Sequence, residues 1–104
     1  MSNHANTGQP LNSAQVAHYG NLVGDVEAPV KDRGYAVYAL VSPGDEVAIP
    51  AGTHLGHGER LDAPEVATVV EFTNAGFRGI EATVRLAAAG TRLRGIPAGV
   101  LVPR

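Results

Sequence analysis

Tyr35-Ala36-Val37-Tyr38-Ala39-Leu40-Val41-Ser42 is the first strongly apolar run of the chain, and the fold class turns on it. It is rich in the β-branched and aromatic residues that suit a pleated, half-buried surface, and it reads as a strand. Lys31-Asp32-Arg33-Gly34 before it reads as a charged turn, and Pro43-Gly44-Asp45 after it is a turn by residue type. On this reading an all-β domain begins shortly after Pro29.

Working outward, the same punctuation continues to the C-terminus. Glu46 to Ile49 reads as a short strand closed by Pro50-Ala51-Gly52. Leu61 to Glu65 has Asp62 to cap and Pro64 for the first turn of one helical turn. Val66 to Thr73 is apolar on both faces and reads as a central strand, followed by a turn at Asn74-Ala75-Gly76. Phe77 is expected to pack at the edge of that hairpin loop. In Ile80 to Leu86, Ile80, Ala82, Val84 and Leu86 face one way, and Glu81, Thr83 and Arg85 the other. Thr91 to Ile96 and Gly99 to Val102 complete the set. The expected fold is all-β, a small β-sandwich or barrel of about six short strands with at most one short helix. Leu101-Val102-Pro103-Arg104 resembles a protease-site remnant, so Pro103 and Arg104 carry no functional argument.

Residues 1–28 differ in composition. They carry six Asn or Gln, and their charged residues are Asp25 and Glu27. Leu11, Val16, Tyr19, Leu22 and Val23 are dotted through them without a strong period. A polar, uncharged segment of this kind is suited to lying extended on another protein surface, so residues 1–28 are expected to form an extended N-terminal arm on a compact β-rich domain, residues 29–104. Ser13 to Val23 admits a short helix with Ser13 as N-cap, which Gly20 weakens.

Composition narrows the function. The chain has 104 residues, room for one domain. Gly 13 and Pro 7 exclude a long-helix protein, and the absence of Cys excludes disulfides and thiolate metal sites. A net charge of −2 excludes a strongly basic nucleic-acid footprint. No apolar run approaches the ~18 residues of a membrane span, and the chain is expected to carry no leader. There is no Gly-x-Ser-x-Gly, no phosphate loop and no Cys nucleophile. Residues 29–104 alone form a small, unstapled core, and domains below about 80 residues rarely gain more than ~3–5 kcal/mol from one core. An oligomer or a larger partner is the expected staple. Acidic residues crowd residues 44–71, against Arg60, and five arginines lie in residues 78–104, against Glu81. These segments either pair between copies of the chain or neutralise each other as adjacent strands.

Ligand-type residues cluster once, in His54-Leu55-Gly56-His57-Gly58-Glu59. The approach through Gly44-Asp45 to Ile49-Pro50-Ala51-Gly52-Thr53-His54 resembles the second conserved motif of cupins, a Gly-Asp strand leading to Pro-x-Gly and a histidine ligand. The histidine comes one residue early after Gly52, and no His-x-His motif precedes it. That resemblance implies a small cupin-like metal-binding enzyme or sugar-binding β-barrel using His54, His57 and Glu59. The preferred reading treats them as solvated loop residues, with no metal and no cofactor.

The whole chain resembles, as architecture, the small head decoration or cement proteins of tailed bacteriophages. Those pair an extended N-terminal arm with a compact β-rich domain, lack cysteine and often carry an (I/L)PAGT-x-LG corner, here Ile49-Pro50-Ala51-Gly52-Thr53-His54-Leu55-Gly56. The resemblance implies a structural protein, not an enzyme. It implies a homotrimer on the virion's capsid surface, made in the host cytoplasm, whose arm engages the major capsid protein. Leu11, Val16, Tyr19, Leu22 and Val23 are then the partner-binding residues, with no nucleic acid and no membrane involved.

Overall fold

The computed structural model of the chain describes residues 11–23, 25–56 and 58–104. It overturns the all-β expectation. Among the described residues, two α-helices, α1 (Ser13–Val23) and α2 (Val30–Leu40), precede seven strands. The strands are β1 (Glu46–Ile49), β2 (His54–Gly56), β3 (Glu59–Arg60), β4 (Glu65–Asn74), β5 (Ile80–Leu86), β6 (Arg92–Pro97) and β7 (Val102–Pro103). Five of them form one antiparallel sheet in the order β6-β5-β4-β1-β7, and β2 with β3 forms a separate two-stranded hairpin. The fold is α+β.

The decisive stretch is helical because its apolar residues meet the core at helical spacing. Gly34, Val37 and Leu40 are buried three apart, and Ala36 and Leu40 four apart, while Lys31, Asp32 and Tyr35 stay exposed. The supposed charged turn is the first turn of this helix. Pro29 precedes it in extended conformation, and Asp32 places an acid where the helix dipole favours one. The segment from Ser13 to Val23 is also a helix, so no extended arm exists over those residues. Its start is a capping box. The Gln15 N–H donates to Asn12 Oδ1 at 2.8 Å and the Asn12 N–H to Gln15 Oε1 at 3.0 Å. The cap is thus Asn12, one residue before the expected Ser13.

Several sequence readings of strands and turns correspond to what is seen. The chain turns at Ser42-Pro43-Gly44-Asp45, where Gly44 has φ of 96° and the Asp45 N–H donates to the Ser42 carbonyl at 3.0 Å. β4 is the middle strand. A bulge between Val69 and Glu71 shifts its phase by one, so that Ala67, Val69 and then Phe72 turn toward the core, opposite Leu86, Val84 and Ala82 of β5. Neighbouring β4 and β5 also bring the acidic and basic segments side by side, with Thr68 opposite Arg85. Leu61 to Glu65 holds no helical turn; Glu65 already begins β4. Gly99 to Val102 is not one strand. Ala98–Val100 is a 3-10 turn, and β7 pairs Val102 with Ala48 at the sheet edge. Arg104 adds an ion pair to Glu46 at 3.6 Å.

The two edge strands β6 and β7 are consecutive in sequence, joined by residues 98–101. In a flat sheet they would lie about 19 Å apart, four spacings of ~4.8 Å. A link that is mostly 3-10 turn, rising ~2 Å per residue, cannot span that distance. The sheet is therefore curled, helped by bulges in both the β4–β5 and β5–β6 pairings. The link is itself core: Ala98, Gly99 and Leu101 are buried. It packs against α2, as do β5 and β6.

Candidate functional site

Four of the five residues expected to bind a partner are engaged within the chain. Leu11, Val16, Tyr19 and Val23 pack against the core formed by Val37, Val69, Val84 and their neighbours. Val16, Tyr19 and Val23 stand at i, i+3 and i+7, one stripe of α1, and α1 lies on α2. Leu22 is half-buried. From Tyr19 a run of rings continues through Tyr35, at 6.1 Å between centroids, to Tyr38 and then edge-on to Phe72 at 5.5 Å. The missed signal was a spacing over residues 16–23 that becomes a stripe only once the segment is taken as helical.

His54 and Glu59 are exposed on the small β2–β3 hairpin, where His54 lies opposite Arg60 and Gly56 opposite Glu59. His57 lies outside the described residues. Among the described residues, no three His, Cys, Asp or Glu are grouped to hold a metal ion. The open, curled sheet is also not the closed barrel of the cupin-like alternative.

Two surface features remain. The first is the end of the β4–β5 hairpin. Asn74 Oδ1 accepts the Gly76 N–H at 3.0 Å, and the Ala75 N–H donates to the Gly79 carbonyl at 2.8 Å, which folds residues 76–78 into a 3-10 turn. Gly79, at φ 84°, backs directly onto Lys31; a Cβ there would lie 3.1 Å from Lys31 Cγ. The turn pushes Phe77 outward until it is 90% exposed, so the expectation that it packs at the hairpin edge is corrected. Between this hairpin and α2 lies a cleft of about 360 Å³ lined by Lys31, Tyr35, Asn74 and Ile80, with Tyr35 itself 52% exposed. An aromatic set between turn glycines, Gly76-Phe77-Arg78-Gly79, was the signal for such a tip.

The second feature is a larger cleft of about 480 Å³ where α2, the Pro50–His54 corner and residues 97–102 meet. Its walls are mainly apolar, including Val26, Val100 and Leu101. Arg33 lines it, and the Arg33 Nε is enclosed by protein with no hydrogen-bond acceptor among the described residues.

These elements define a small α+β domain with a curled antiparallel sheet, an exposed aromatic hairpin tip and one apolar cleft carrying a cation. Comparison of the chain with protein-family models, with curated proteins and with solved structures gives no match.

Proposed function

We propose that the chain is a structural decoration protein of a phage head, which attaches to the major capsid protein and acts by adding interface rather than by catalysis. The observation that carries this reading is the exposure of two aromatic rings, Phe77 at the hairpin tip and Tyr35 on the wall of the smaller cleft. Phe77 presents its ring to water, as does half of Tyr35, whose other half meets Tyr19 and Tyr38, while Tyr19, Tyr38 and Phe72 are engaged within the domain. Full burial of such a ring is worth about 1.5–3 kcal/mol, and a partner surface that covers it recovers that energy. Exposed aromatics at a rim, next to a cleft of suitable depth, are the usual form of an interaction anchor. In this reading the attachment surface is the Tyr35–Phe77 face, because the apolar side chains of α1 already serve the chain's own core. A homotrimer placed where capsid subunits meet ties them together through several such anchors at once.

Co-sedimentation with empty capsids tests the reading. The parent protein is expected to pellet with capsids, and Phe77→Ser, which leaves the fold intact, to remain in the supernatant. A parent that never pellets, or a Phe77→Ser, Tyr35→Ser double variant that pellets as well as the parent, would overturn it.

A further inference from the structure

The larger cleft poses a question of charge that the capsid reading does not answer. Arg33 is half-buried on the cleft wall. Among the described residues no carboxylate pairs with it, and its Nε has no acceptor. None of the described residues lining the cleft is acidic; beside Arg33 the lining residue able to carry charge is His54, which is exposed. A guanidinium whose Nε is shut off from water without an acceptor is unfavourable, and carboxylate is the group whose geometry it matches best. Around that cation the walls are apolar: Val26, which is 81% exposed, then Val100, Leu101 and Val102, with Pro50 and Pro97. A cleft of about 480 Å³ is within the range that holds a small organic molecule.

We propose that this cleft is a binding site for a small amphipathic carboxylate, an aliphatic acid whose carboxylate pairs with Arg33 and whose chain lies along Val26, Val100 and Leu101. The sign of the ligand follows from a cation that no described carboxylate pairs with, and its apolar part from the walls. The site is separate from the Tyr35–Phe77 face, since Arg33 lines this cleft while Lys31 and Tyr35 line the other. It therefore stands or falls independently of the capsid reading.

The test is an amide-detected NMR titration of the full chain with sodium octanoate. Octylammonium chloride and a neutral octyl glucoside serve as probes with the same tail and a different head. Octanoate is expected to shift the amides of Arg33 and Val100 to Val102 saturably, at least tenfold more tightly than either other probe. Arg33→Met, which keeps an apolar stem of similar length and removes the charge, is expected to weaken octanoate at least tenfold while its thermal midpoint is equal to or above that of the parent. Equal binding of octanoate and octylammonium would overturn the proposal, as would octanoate binding that Arg33→Met leaves unchanged. So would the absence of any saturable shift at these amides. The head-group comparison uses the parent protein and so holds even if the variant fails to fold.

Discussion

Gly99 lies directly beneath Val30, with no room between them for a side chain. A methyl group on the Gly99 Cα would overlap the Val30 carbonyl oxygen and come within 2.8 Å of Val30 Cγ1. On the adjoining turn of α2, a Cβ on Gly34 would lie 3.2 Å from the Gly99 backbone nitrogen. Two glycines thus let the buried link between β6 and β7 run against the start of α2. This contact couples the curl of the sheet to the helix that covers it.

Gly99→Ala is expected to be among the most damaging single substitutions in the chain, because the nearest obstructing atom is the Val30 carbonyl oxygen, which is backbone and cannot swing aside. Overpacking of this kind costs about 1–3 kcal/mol or more. For a domain of this size each kcal/mol lowers the melting midpoint by roughly 4–8 °C. Gly34→Ala, with a contact that is tight but not overlapping, is expected to lower it less. Thermal melts of the two variants check the order; a Gly99→Ala midpoint equal to that of the parent would remove the contact from the account.

The capping box predicts a difference between adjacent residues. Asn12→Ala removes the oxygen that accepts the Gln15 N–H and is expected to destabilise by about 0.5–2 kcal/mol, with loss of helical dichroism. Ser13→Ala is expected to stay within about 0.5 kcal/mol of the parent. Urea midpoints of the two variants are the measurement, and the reverse order would restore Ser13 as the cap.

Removal of residues 1–23 is expected to lower stability rather than leave an intact β-domain. It strips Val16, Tyr19 and Val23 from the core and uncovers the α2 surface on which α1 lies. Tyr19→Ala alone is expected to cost about 1–2 kcal/mol, in keeping with partial burial of the ring. A truncated chain that melts at the parent temperature would show that α1 contributes nothing to the core.

The two phenylalanines are expected to respond oppositely. Phe72→Ala removes the ring that meets Tyr38 edge-on at 5.5 Å and packs on the core, and should destabilise by about 2 kcal/mol. Phe77→Ala should stay within about 0.5 kcal/mol, since its ring is exposed. Equilibrium unfolding in urea distinguishes them; a destabilised Phe77→Ala would mean that the tip ring has an intramolecular contact after all.

Turns and strands were legible in the sequence where their chemistry is local. Pro43-Gly44-Asp45 turns because proline presets one dihedral and glycine accepts the positive φ of the next. Ile80 to Leu86 is legible as a strand because Ala82 and Val84 face the core, although Thr83 between them is buried too, and Val66 to Thr73, apolar on both faces, lies in the middle strand. The acidic and basic segments needed no second copy of the chain to meet, since they adjoin as β4 and β5.

Local residue chemistry thus specifies the punctuation, most of the sheet strands and the apolar set that builds the core. That residues 35–40 form a helix is a matter of packing, because a short run of Ala, Val, Leu and Tyr satisfies a period of two as readily as one of 3.6. The choice lies with Gly34, whose missing side chain admits the buried link at Gly99, a contact across 65 residues that no local pattern records. The candidate sites depend on the same level. Phe77 stands exposed on a hairpin tip whose Gly79 is seated on Lys31, and Arg33 faces an apolar cleft because the curl of the sheet brings residues 97–102 to α2. Each is a relation between distant segments, created when the chain closes on itself.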